Sequence, residues 1–142
     1  GNHDMWMSGY FEKELNIPVY YEPKNFEFNG KKFLIGHGDG LGPGDRGYKF
    51  LKKIFRNKAC QWLFGLLPPY IGMGEDKEWL ISYCKEVLHQ KHYDFFIFGH
   101  RHLPIDFSLD NGSRYINLGD WIRYNSYAVF NGQHIELKYF EC

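Results

Sequence analysis

Apolar residues along this chain fall into runs of two kinds. Short runs rich in aromatic and β-branched residues stop abruptly at glycine, as in Phe33-Leu34-Ile35 before Gly36 and Phe95-Phe96-Ile97-Phe98 before Gly99. Runs of that length and composition read as buried strands. Similar runs predict strands at residues 17–21, 25–28, 104–109, 114–118, 126–130 and 134–140. Asn29-Gly30, Asp110-Asn111-Gly112 and Asn131-Gly132 supply turn residues between neighbouring runs and predict hairpins. The second kind of run has helical spacing. Trp79, Leu80, Tyr83, Cys84, Val87 and Leu88 recur on one face of a helix predicted over residues 77–90, a face that should lie on the sheet. Residues 5–15 predict a short helix that Gly9 weakens.

Between these elements lies a segment of different character. Asp45 suits the N-cap of a helix reaching about Arg56, with Tyr48, Leu51, Ile54 and Phe55 opposite Lys49, Lys52, Lys53 and Arg56. A second apolar stretch, residues 60–67, ends at Pro68-Pro69. Two readings of residues 45–75 stand side by side: a helical hairpin that packs on the core, or an insertion presenting an apolar, basic-edged surface to lipid. Strands alternating with helices predict the α/β class. With 142 residues and no repeat, low-complexity tract or linker, one domain covers the chain, and residues 45–75 are its most detachable part.

Composition narrows the function. The charge balances at 17 basic and 17 acidic residues with no polybasic run, which excludes a nucleic-acid footprint. Aromatic residues make up 20% of the chain, enough for a thick core or a surface that meets apolar ligands. Cys60, Cys84 and Cys142 are odd in number and form no C-x-x-C pair, so a reducing compartment is expected rather than a disulfide framework. No run approaches the ~18–20 apolar residues that span a bilayer. The chain starts at Gly1 within a polar motif and without an initiator methionine, so a piece of a longer protein is expected.

Candidate chemistry gathers at the strand ends. Tyr93 to Phe98 lead into Gly99-His100-Arg101-His102, and residues two apart in extended or loop backbone can project to one side. His100 and His102 therefore form a candidate transition-metal pair at the end of a strand, where open α/β sheets place ligands. Gly36-His37-Gly38-Asp39 repeats the arrangement after the earlier strand, and Gly119-Asp120-Trp121 borders it after a later one. Gly1-Asn2-His3-Asp4 adds an amide oxygen, an imidazole and a carboxylate that can orient it. Amide and imidazole donors without thiolate point to Mn, Fe or Zn in a catalytic site. Carboxylates are short: Asp4 and Asp39 adjoin the proposed ligands and suit an orienting role, so bridging carboxylates are expected from residues upstream of Gly1. His89 and His92 suit the end of the preceding helix and His134 an exposed strand position.

The ordered set Gly-Asn-His-Asp, Gly-His-Gly-Asp and Gly-His-Arg-His resembles the last three motifs of the calcineurin-like metallophosphoesterases, from Gly1 to about Phe130. His37-Gly38-Asp39-Gly40-Leu41 with Asp45 and Tyr48, Phe98 to Pro104, and Asn117-Leu118-Gly119-Asp120-Trp121 are similar to the UDP-2,3-diacylglucosamine hydrolases of lipid A synthesis. The resemblance implies a metallophosphoesterase-type layered α/β sandwich, represented here by its C-terminal portion, with a small helical cap at residues 45–75. It implies two divalent metal ions, with Mn2+ expected. Asn2, His37 and His100 would bind one ion and His102 the other. His3, oriented by Asp4, would donate a proton or contact phosphate, and Asp45 and Tyr48 would touch the substrate. Many bacterial members carry Arg where this chain has His3, and the cap is short between Pro69 and Gly74. The implied reaction is hydrolysis of the pyrophosphate bond of a lipid-linked nucleotide sugar, with peripheral contact to the cytoplasmic face of the inner membrane and no nucleic-acid partner. The alternatives are a broad metallophosphoesterase acting on soluble phosphomonoesters or diesters, and a non-catalytic scaffold of the same fold. Without upstream carboxylates, the stretch alone is expected to be inactive.

Overall fold

A computed structural model describes residues 9–41 and 79–141. In chain order they form helix α1 (Tyr10–Glu14), strands β1 (Lys24–Phe28) and β2 (Lys31–Ile35), helix α2 (Trp79–Gln90), and strands β3 (Phe95–Phe98), β4 (Pro104–Ser108), β5 (Arg114–Leu118), β6 (Ser126–Phe130) and β7 (Ile135–Tyr139). The helices expected in residues 45–67 lie outside the described residues. Five strands make a mixed sheet in the order β1-β2-β3-β5-β4, while β6 and β7 pair as a separate two-stranded sheet. β2, β3 and β5 run parallel at the centre, and the edges β1 and β4 are antiparallel to their neighbours. The α/β class expected from the sequence is the class observed.

Period-two alternation explains how one sheet buries both faces. Leu34, Phe96, Phe98 and Tyr115 point to the side covered by α2, where Leu80 and Cys84 complete a buried cluster. Phe33, Phe95, Ile97 and Ile116 point to the other side, where Ile135 of β7 joins them and Ala128, Phe130 and Leu137 pack against them. The described residues are thus layered helix, five-stranded sheet, two-stranded sheet. All four residues of β3 are buried, as its uninterrupted apolar run requires. On α2 the predicted face is the observed one, with Leu80 and Cys84 fully buried and Trp79, Tyr83, Val87 and Leu88 packed around them. Fully burying a leucine of this kind contributes about 1.5–3 kcal/mol.

Residues 17–21 do not form the strand that their composition predicts. Pro18 removes a backbone donor and fixes its φ, and among the described residues Ile17, Tyr20 and Tyr21 remain largely exposed, with Tyr20 meeting the Phe26 ring edge-on. The hairpin predicted at Asn29-Gly30 is present, joining β1 to β2 with φ values of 50° and 72°. Asn131 closes the β6–β7 connection through its side chain: Oδ1 accepts the N–H groups of Gln133 and His134.

Candidate functional site

The three parallel strands end side by side, and each ends in glycine followed by a polar residue. β2 runs into Gly36-His37, β3 into Gly99-His100 and β5 into Gly119-Asp120. Because β2, β3 and β5 are neighbours, these residues meet at the carboxyl edge of the sheet. The ladder between the first two continues past the strands: Gly36 N–H donates to the Ile97 carbonyl at 3.1 Å and Gly99 N–H to the His37 carbonyl at 3.0 Å. The backbones carrying His37 and His100 are therefore locked together before either side chain is considered.

The loop after β3 is held in an unusual shape. Arg101 N–H donates back to the Gly99 carbonyl at 2.8 Å, closing a three-residue turn around His100, whose φ is +69°. His102 follows at φ +53°. Two non-glycine residues in the left-handed region within three positions store strain that the surroundings must hold. Asn117 of β5, fully buried, does so: its Nδ2 donates to the Gly99 carbonyl at 2.8 Å and to the Tyr115 hydroxyl at 3.1 Å, and its Oδ1 accepts Gly119 N–H at 3.2 Å. One amide side chain thereby ties the β3 loop to the β5 loop.

With the loops so fixed, His37 Nε2 and His100 Nδ1 face each other at 3.3 Å, their rings nearly perpendicular at 79°. Gly38 permits this approach. At φ +107° it lies where a Cβ would meet Leu80 Cδ1 at 3.2 Å and His100 Cβ at 3.6 Å, so the helix, the turn and the imidazole share one tight corner. Trp79 of α2 stands edge-on to the His100 ring, with ring centroids 6.2 Å apart.

Asp120 forms the third side. Its Oδ1 accepts the backbone N–H groups of Ile122, Arg123 and Tyr124 at 2.8, 2.6 and 3.4 Å, while Oδ2 faces His102 Nδ1 at 3.8 Å. The Arg123 N–H first, and then those of Ile122 and Tyr124 with the nearby His102 imidazole, hold its carboxyl below the usual carboxylate range, against a smaller opposing effect of burial. His37, His100, His102 and Asp120 line one end of a cavity of about 700 Å³. Its other walls are apolar and come from the gap between the two sheets, including Phe33, Ile97, Phe130 and Ile135.

His37, His100 and His102, predicted from the sequence, thus reach one cavity, and Gly119-Asp120-Trp121 borders it as expected. Asn2, His3, Asp4, Asp45 and Tyr48 lie outside the described residues. Among the described residues no cluster of three or more His, Cys, Asp or Glu side chains is arranged to hold a metal ion. The imidazole pair nevertheless fits a shared cation. Two nitrogens each about 2.0–2.1 Å from one ion, at an angle between right and tetrahedral, lie about 2.8–3.4 Å apart, and the observed separation is 3.3 Å. Asn117 escaped notice as a site residue, although an amide inside the apolar run Tyr115-Ile116-Asn117-Leu118 is the mark of a buried polar clamp.

No family model matches the chain. It is similar to the UDP-2,3-diacylglucosamine hydrolase of Porphyromonas gingivalis, 34% identical over 175 residues covering 99% of this chain and 67% of that protein. Proteins of the same description from Shewanella sp. (strain W3-18-1) and Vibrio atlanticus are 26% and 27% identical, each match covering 97% of this chain and 65% of the relative. The chain spans about two thirds of the length of these curated relatives. A Thermotoga maritima protein solved by solution NMR aligns with 92% of the chain and 60% of its own at 21% identity and a TM-score of 0.40, a likeness too slight to argue from.

Proposed function

The chain belongs to the UDP-2,3-diacylglucosamine hydrolases, within the calcineurin-like phosphoesterases, and on that premise we propose that it supplies the C-terminal part of a metal-dependent hydrolase of the layered α/β metallophosphoesterase type. The proposed reaction adds water across the pyrophosphate bond of UDP-2,3-diacylglucosamine, giving UMP and the acylated sugar phosphate lipid X. The observation that carries this reading is the pair His37 Nε2 and His100 Nδ1, held 3.3 Å apart by strand ends that are locked to each other.

In this reading Asn2, His37 and His100 hold one divalent cation and His102 the second, with further ligands from outside this stretch and Mn2+ the expected ion. Two such cations, when bound, neutralise charge on the phosphoryl oxygens and make water acidic enough to react near neutral pH. The protein's own part is orientation and proton handling. The γ-turn at His100 and the Asn117 clamp aim the imidazoles. His3, oriented by Asp4, contacts a phosphoryl oxygen or delivers a proton to the leaving group. Asp45 and Tyr48 contact the sugar or phosphate, and the segment 45–75 forms the cap that receives acyl chains at the cytoplasmic face of the inner membrane. No helix among the described residues is long and apolar enough to cross a membrane.

The test is turnover by the full-length protein with Mn2+, following UMP release from UDP-2,3-diacylglucosamine. The expected result is UMP release that a chelator stops and that His37→Ala reduces by at least about 10²-fold, the scale of losing a charge-stabilising element of a site. Hydrolysis of generic phosphodiesters without UMP release from the lipid would instead identify a broad metallophosphoesterase, and no hydrolysis of either would identify a scaffold.

A further inference from the structure

His102 is half of the motif after β3, yet it stands apart from the His37–His100 pair, with a side chain that is 58% exposed. Among the described residues, Asp120 Oδ2 lies 3.8 Å from its Nδ1. We propose that Asp120 is the positioning residue for His102: its carboxylate keeps the ring proton on Nδ1 and so leaves the Nε2 lone pair directed into the cavity for a divalent cation. This inference rests on the reading of His102 as a ligand of the second ion.

Three observations support it. The carboxylate is not a loose surface group. Three backbone N–H groups converge on Oδ1 and fix the plane of the side chain, so Oδ2 alone is turned to the imidazole. The Asp120 side chain is only 12% exposed, whereas an incidental surface ion pair would leave both partners in solvent. The backbones bearing both groups are also fixed. His102 is held in the left-handed region after the γ-turn, and Gly119 at φ +71° packs between Ser126 and Pro104.

The chemistry requires this arrangement of atoms. A neutral imidazole donates from one nitrogen and ligates from the other, so whatever accepts from Nδ1 decides that Nε2 is the ligating atom. A carboxylate can only accept, and it is the usual partner behind a metal-binding histidine. The 3.8 Å separation is longer than a hydrogen bond, so the proposal requires the exposed His102 ring to turn toward Oδ2.

The decisive variant is Asp120→Asn. The three loop N–H groups select the amide oxygen, which keeps the loop folded and puts the NH2 group where Oδ2 was. A donor then faces Nδ1, and the ring is driven to the opposite tautomer. Nitrogen-15 NMR of the metal-free full-length protein, with the His102 signals assigned by their loss in His102→Ala, reads the tautomer directly. The expected result is a predominant Nδ1–H form in the parent and a predominant Nε2–H form in Asp120→Asn. Calorimetric titration with Mn2+ alone should show affinity for one of two ions falling by roughly 10–100-fold, the other ion binding as in the parent. Asp120→Ser, which retains an oxygen for the loop but nothing facing His102, should lose the Nδ1–H preference and weaken the same ion. An unchanged tautomer or an unchanged Mn2+ isotherm in these variants overturns the inference. His102→Ala separates the two levels: if it still binds two Mn2+ ions as the parent does, the reading of His102 as a ligand fails. If it loses one while Asp120→Asn matches the parent, the role of Asp120 alone fails.

Discussion

Gly119 shows how much of the site rests on single atoms. It occupies φ +71°, and a Cβ there would overlap Ser126 Oγ and lie 2.8 Å from Pro104 Cγ. Ser126 cannot withdraw cheaply, because its hydroxyl donates to the Leu118 carbonyl at 2.6 Å. Alanine at position 119 therefore meets a left-handed penalty of about 1 kcal/mol or more and an overpacking cost of roughly 1–3 kcal/mol. Gly119→Ala is expected to lower unfolding free energy by about 2–4 kcal/mol in urea titration. A loss of under ~0.5 kcal/mol, within the range of ordinary surface changes, would show that the loop relaxes freely. At this scale the histidines were legible because an imidazole directly after an apolar run and a glycine leaves a trace in the sequence. The left-handed backbone of His100 was not, since it depends on Asn117, a residue 17 positions along the chain and one strand away in space.

The elements, by contrast, were legible wherever periodicity was strong. α2 and the strands β1 to β7 fall within a few residues of their predicted bounds; α2, β2, β3 and β5 each bury a face, and turn residues delimit the more exposed β1 and β4. Residues 17–21 misled because composition favours a strand while Pro18 removes a ladder donor and fixes its φ. What joins the three parallel strands at the edge opposite the site was also invisible in the sequence. Asp94 N–H donates to the Lys32 carbonyl, its own carbonyl accepts Arg114 N–H, and its carboxylate accepts Lys32 N–H at 2.9 Å and Lys31 Nζ at 3.0 Å. Burial alone would raise this carboxyl, but the Lys32 and Lys31 hydrogen bonds, with the Lys31 and His92 charges, hold it below its ordinary value. The folded state then binds fewer protons at Asp94 than the unfolded state. Its stabilisation is full above the unfolded value of about 3.9 and is lost as pH falls through it toward the lowered one. Comparison of Asp94→Asn with the parent from about pH 6 to pH 3 should show a stability difference that is constant at the upper end and shrinks below about pH 4. A difference that does not change with pH would mean that only the geometry of the side chain matters, and not its charge.

At the scale of the whole molecule, the site is built from parts that are distant in sequence and adjacent only in the fold. The sequence ordered the motifs correctly, but it could not show that the carboxyl ends of β2, β3 and β5 open onto a cavity whose far walls are the apolar gap between two sheets. That gap depends on the β6–β7 hairpin packing across the large sheet; Asn131-Gly132 marks the hairpin in the sequence, but nothing local marks the face it covers. The match to the Porphyromonas gingivalis protein runs over 175 residues against a chain of 142, so that relative carries additional residues within the matched stretch. A cation gripped by His37 and His100 would cross-link two strands 63 residues apart in the chain. Such a ligand binds the folded state and finds no preformed pair in the unfolded one, so it must stabilise by mass action. At a concentration about 100 times its dissociation constant the gain is about 2.7 kcal/mol, or roughly 5–10 °C in melting temperature for a domain of this size. The full-length protein should therefore melt higher as Mn2+ is added, and a chelator should reverse the rise. His37→Ala should remove most of the rise while melting close to the parent in chelator, because the backbone bonds that join β2 to the β3 loop remain. An equal rise in His37→Ala and parent would place the ion elsewhere and leave the facing imidazoles as a packing contact.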